Sequence, residues 1–153
     1  MPGKYAKRTE VPISKTKGEI EGLLEKYGAA GVNMGQLTKD GKTMALIQFV
    51  MNNLMVRIAF RLPEESEFSK TRTGQRRNKR LVEAECKRER KRIWRAVLLV
   101  IKAKLEAVES NITTFEEEFL SFLVLPDGQR VGDLVIPRLA SGELPMLTEG
   151  PGQ

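Results

Sequence analysis

Apolar and polar residues recur along this chain with two different periods, and the change of period divides it. Ile20, Leu23, Leu24 and Tyr27 fall at helical spacing and predict a helix over about 17–27. Thr16 and Glu19 stand at capping-box spacing before it, and Gly28 offers the left-handed stop after it. From Gly31 to Leu62 the period becomes two, predicting strands at Val32–Leu37, Thr43–Met51 and Leu54–Leu62. Asp40-Gly41 is a strong hairpin turn, because glycine accepts the positive φ such a turn needs. Asn52-Asn53 predicts a second tight turn. In the third strand Val56, Ile58, Phe60 and Leu62 point one way, and Arg57, Ala59 and Arg61 the other. The simplest assembly is a three-stranded antiparallel meander with the first helix over its apolar face.

Pro63 ends the last strand, and residues 64–77 carry no apolar period. They read as a mobile basic loop. Asn78 is the expected N-cap of a long helix reaching about Ser110. Its second half gathers Trp94, Val97, Leu98, Ile101, Leu105 and Val108 on one broad face that must pack on something. Its first half, 81–92, is far more polar and is expected to project into solvent. Thr114 and Glu117 repeat the capping-box spacing ahead of a short helix bearing Phe115, Phe119, Leu120 and Leu123. Asp127-Gly128 then turns a small hairpin between Phe122–Leu125 and Gln129–Val131, and a further short helix is expected near Leu134–Ala140. The fold class is α+β: N-terminal helix, three-stranded antiparallel meander, long central helix and short C-terminal helices. Residues 1–15 read as a flexible arm, 16–142 as one domain, and 143–153 as an irregular Gly/Pro-rich tail.

Composition narrows the setting. At 153 residues and 41% apolar, the chain can bury a real core. The one cysteine, Cys86, allows no internal disulfide and suits the cytosol. Neighbouring cations in EAECKRER would activate its thiol; a spectator thiol is the plainer expectation. The basic start MPGKYAKRTEVP has no apolar stretch behind it, so no secretory signal is expected. The longest apolar run, Ala96 to Ile101, is far too short for a bilayer, so no membrane partner is expected.

The chemistry that is missing is informative. There is no histidine, which removes the commonest general base and the imidazole of most metal sites. One cysteine without histidine excludes a structural zinc site, and no phosphate-loop or dinucleotide glycine pattern is present. Glu116, Glu117 and Glu118, with Asp127 and Asp133 downstream, are the best carboxylate cluster for Mg²⁺. Three consecutive helical residues fan out, however, and they suit the helix dipole without any further role. The chain is therefore expected to be no enzyme and to take no cofactor or metal.

What stands out is charge. The net charge is +6, and between Lys70 and Arg95 twelve cations face three anions, a local +9. Concentrated cations bind phosphates by releasing condensed counterions, and arginine forks hold phosphate oxygens bidentately. The candidate nucleic-acid-binding residues are Lys70, Arg72, Arg76, Arg77, Lys79, Arg80, Lys87, Arg88 and Lys91. Arg57 and Arg61, on the sheet's open face, extend the patch; coverage by the long helix would remove them from it. Two other readings stay open: a surface for an acidic protein partner, or a solvated helix face with internal Glu–Arg pairs through Glu85 and Glu89. Aromatic residues are scattered, and no base-stacking platform is visible. The WRAVLLVIKAKLEAVES stretch is expected in the core, and a homo-oligomer interface is its sharper reading.

The order helix, three-stranded meander, helix over residues 16 to 95 resembles the double-stranded-RNA-binding domain in topology. That family's Lys-Lys-x-Ala-Lys motif is replaced here by RRNKRLVEA, and the second helix is much longer, so the chain is not assigned to that family. A second resemblance spans nearly the whole chain. VPISKTKGEIEGLLEKYGA, MVRIAFRLP, TRTGQRR, WRAVLLVIKAKLEAVES, TTFEEEFLSFLVLPDGQRVGD and the LPML tail look like a family of small proteins encoded in bacteriophages and prophages. The resemblance implies a phage origin and a bacterial host cytoplasm. It brings no activity and no catalytic or binding residue with it. Phage accessory proteins of this size are often nucleic-acid binders or inhibitors of host proteins, which are the two functions expected.

Overall fold

The computed structural model describes residues 11–70 and 73–143. Helix α1 spans Ile13–Lys26, followed by strands β1 (Ala30–Lys39), β2 (Lys42–Met51) and β3 (Leu54–Leu62). After a 3₁₀ turn at Glu65–Phe68 comes the long helix α2 (Lys79–Glu109). The short helix α3 (Phe115–Phe119), a 3₁₀ turn at Leu120–Phe122 and α4 (Val131–Ser141) complete the order, which is the expected α+β arrangement.

The sheet is the expected meander, β1-β2-β3, antiparallel throughout. Both connections are two-residue hairpins. Asp40 and Gly41 carry φ of 54° and 72°, and Asn52 and Asn53 carry 52° and 62°. Two successive left-handed residues give the turn whose twist matches that of the flanking strands. The ladders run without a slip from Thr43↔Leu62 to Met51↔Leu54, whereas β1 has a register shift between Ala30 and Asn33.

Because side chains alternate, the register fixes the two faces. Ala45, Ile47 and Phe49 of β2 and Val56, Ile58 and Leu62 of β3 are buried on one face. Against them pack Ile20 and Leu24 of α1, Trp94, Leu98, Ile101 and Leu105 of α2, and Phe115 and Phe119 of α3. Phe49 meets Phe119 edge-on at 6.1 Å, and Phe60 meets Trp94 at 4.9 Å. Each such fully buried large side chain contributes about 1.5–3 kcal/mol, which makes this layer the source of stability. The opposite face carries Leu37, Met44, Met55, Arg57 and Arg61; Leu37 is 67% exposed.

Two expectations need correction. α1 begins at Ile13, one turn early and within the segment expected as an arm, with Pro12 as N-cap and no side-chain cap. Thr16 is instead buried among the core side chains, and Glu19 reaches Arg95 of α2 at 2.6 Å. The first half of α2 does not stand off in solvent: Val82 and Cys86 are buried, and the helix packs on the 3₁₀ turn after β3. Cys86, by contrast, sits as the plainer expectation of a spectator thiol had it, buried in the fold. Burial pushes its thiol pKa up, outweighing the nearby Arg90, and its Sγ lies 3.4 Å from the Pro63 carbonyl.

The other local signals hold. Gly28 has φ 97° just after α1, the Asn78 side chain accepts from the Arg80 N–H at 2.8 Å, and Thr114 and Glu117 form a full capping box. The small hairpin at Asp127-Gly128 closes through a Val124↔Arg130 bridge and lies along the outer edge of β3, where the Val124 N–H reaches the Met55 carbonyl at 2.9 Å. Among the described residues no helix is long and apolar enough to cross a membrane.

Candidate nucleic-acid interface

The basic segment is held to the body of the protein at its root. The Pro63 carbonyl, at the end of β3, accepts from Arg90 Nε at 2.9 Å. Glu64 accepts from the buried Thr43 hydroxyl and lies 3.6 Å from Arg90 Nη2. The following 3₁₀ turn is closed by Glu67, whose carboxylate accepts from the Glu64 N–H at 2.6 Å. That bond, together with Arg61, holds the Glu67 carboxyl below its ordinary value of 4.5. Part of the segment expected as a loop is therefore regular. Beyond the turn, Lys70 and Arg76 form an isolated antiparallel bridge, and the Arg77 N–H donates to the Ser69 carbonyl at 2.9 Å. The chain doubles back there before Asn78 caps α2. Arg72 lies outside the described residues.

The structure then sorts the cations by whether the fold already uses them. Arg77 is paired with Glu85. Arg92 holds Glu89 through both Nε and Nη2, with contacts of 2.6–3.0 Å. Arg95 bonds Glu19, and Arg90 bonds Pro63 and Glu64. Two of the segment's three anions are thus paired, Glu85 with Arg77 of the loop before the helix and Glu89 with Arg92 of the helix itself. Both sheet arginines are also engaged. Arg57 donates to Gln48 Oε1 at 3.1 Å and to the Gly128 carbonyl at 3.0 Å, and Arg61 to Glu67 at 2.6 Å. Neither is covered by α2, which packs on the opposite face.

Lys70, Arg76, Lys79, Arg80, Lys87 and Arg88 are exposed and Lys91 is half-buried; none of the seven makes an ion pair among the described residues. Arg80, Lys87 and Lys91 follow one another at seven and four residues, so they share one face of α2 and form a row about 16 Å long. Lys79 stands one position before Arg80 and so faces another side of the helix, and Arg76 lies on the loop before the Asn78 cap. Cations that make no ion pair among the described residues can meet a phosphate backbone without first breaking protein contacts.

The carboxylate candidates are occupied in structural roles. Glu117 accepts from the Thr114 N–H at 2.9 Å, which lowers its pKa. Asp133 is held by Arg130 at 2.8 Å and is lowered chiefly by that bond. Asp127 accepts from the Gln129 N–H, and Glu118 from Thr113 Oγ1 and Lys104. Among the described residues no group of three metal-binding side chains converges.

Sequence reasoning did not find the anchor formed by Pro63, Glu64, Thr43 and Arg90. Arg90 stands 27 residues from the carbonyl it holds, and no local pattern announces that contact. Comparison with family models, with curated proteins and with solved structures finds no match to this chain.

Proposed function

We propose that this is a phage-encoded accessory protein that binds nucleic acid through its phosphates and performs no chemistry on it. The observation that carries the binding is the separation of cations just described. Arg77, Arg90, Arg92 and Arg95 serve the fold, while Lys70, Arg76, Lys79, Arg80, Lys87, Arg88 and Lys91 are left for a polyanion. The phage origin rests on the family resemblance of the sequence. The absence of histidine and the structural employment of Glu117, Asp127 and Asp133 support a non-catalytic role.

Binding of this kind reads charge more than sequence, and it weakens steeply with salt. The test is fluorescence anisotropy of the pure protein with duplex DNA, single-stranded DNA and RNA of unrelated sequences at low salt. Similar affinities for unrelated sequences, falling log-linearly with salt, are expected. No binding to any of the three overturns the reading and leaves an acidic host protein as the partner, recoverable from infected cells as a nuclease-resistant complex.

A further inference from the structure

We propose that the outer edge of β1 pairs with the same edge of a second copy, joining two three-stranded sheets into one continuous sheet of six. The two edges of the sheet are not alike. The edge of β3 is partly closed, since the Met55 carbonyl is bonded to Val124 and Arg57 reaches Gly128. β1 is ten residues long, is nowhere buried, and pairs only with β2 among the described strands. A long, open edge is a template for another strand.

The hairpin fixes which groups that edge offers. In a two-residue hairpin the pair flanking the turn, Lys39↔Lys42, is hydrogen-bonded, and bonded pairs then alternate with unbonded ones. Lys39, Leu37, Gly35 and Asn33 therefore spend their backbone groups on β2. Thr38, Gln36 and Met34 turn theirs outward.

These outward groups are self-complementary. A twofold axis at Gln36 sets its N–H and C=O against those of its twin and pairs Met34 with Thr38 in both directions. On the open face the same register places Leu37, an exposed apolar side chain, over Gly35 of the other copy, which has no side chain and nothing within 4 Å of the position a Cβ would take. No like charges oppose one another. Lys39 falls opposite Asn33, and the two Lys39 residues lie about 20 Å apart at opposite ends of the pairing. The occupant favoured by register, side-chain size and charge is thus a second copy of this chain. An extended peptide from another protein would find no such reciprocal match.

The experiment is sedimentation velocity over a two-decade dilution series with wild type, Gln36→Pro and Leu37→Lys, each checked for native circular dichroism. Gln36→Pro removes an outward N–H while leaving the β1–β2 bonds in place, since proline is tolerated on an edge strand whose N–H faces solvent. Leu37→Lys leaves the backbone intact, removes the apolar cover over Gly35 and sets a cation of each copy into the pairing. A concentration-dependent dimer in wild type, lost in Gln36→Pro and shifted at least tenfold toward monomer in Leu37→Lys, is expected. A wild type that stays monomeric at every concentration overturns the proposal. So does a dimer of unchanged affinity in Leu37→Lys, which remains decisive even where Gln36→Pro fails to fold.

Discussion

Replacing Arg76, Lys79, Arg80 and Lys87 together by glutamine removes four exposed cations that no carboxylate engages among the described residues. Each one that neutralises a phosphate adds about 0.9 to the magnitude of the log–log salt slope on duplex DNA, so the slope falls by at most about 3.6. At 0.1 M salt, referred to 1 M, the same contacts hold at most about 3.6 log units of affinity, or about 5 kcal/mol. The comparison is Arg57→Gln with Arg61→Gln. Those two already spend part of their donor set on Gln48, the Gly128 carbonyl and Glu67, which holds them away from a phosphate. Their loss is expected to change the slope by less than about 0.5 per residue. Anisotropy titrations at five salt concentrations give the slopes, and circular dichroism checks that both variants fold. Equal per-residue losses in the two sets refute the idea that internal pairing decides which cations bind. An unchanged slope in the fourfold variant refutes the interface itself.

The remaining predictions concern the fold that carries this surface. A Cβ on Gly132, at the start of α4, would lie 2.8 Å from the Ser121 backbone oxygen. Gly132→Ala is therefore expected to destabilise by about 1–3 kcal/mol in urea unfolding, despite the better helix propensity of alanine; a stabilised variant contradicts the close approach. Cys86 is buried with its pKa raised, so a thiol reagent at neutral pH should modify it only as fast as the protein opens, and denaturant should accelerate the reaction greatly. Glu67, Glu117 and Asp133 all have carboxyl pKa values lowered by folding, from ordinary values of 4.5, 4.5 and 3.8. Their contribution is present in full above those ordinary values and is lost as pH falls through the lower folded ones. Chemical denaturation across pH 7 to about 3 should show that acid loss, and Asp133→Asn with Glu117→Gln should make it shallower; an unchanged pH profile would count against these assignments.

What the sequence determined alone was whatever depends on neighbours in the chain. Asp40-Gly41 and Asn52-Asn53 encode left-handed turns in their own backbones, and the alternation from Val56 to Leu62 sets the buried face whatever covers it. Asn78 and Thr114 cap helices using N–H groups two or three residues away. The tertiary structure decided where a local signal competes with packing. Thr16 and Glu19 have the spacing of a cap, yet the apolar stripe through Ile20 and Leu24 draws Thr16 into the core, and Glu19 finds Arg95, 76 residues away. The same holds for the charged segment. Its sequence gives a local +9 but not which cations remain available, because Arg90 is taken by Pro63 and Glu64 on another element, and Arg57 and Arg61 by partners across the sheet and beyond it. A charge is counted from composition, whereas its availability depends on which carbonyls and carboxylates the folded chain brings within about 3 Å, and that distance is set only when the helices close on the sheet.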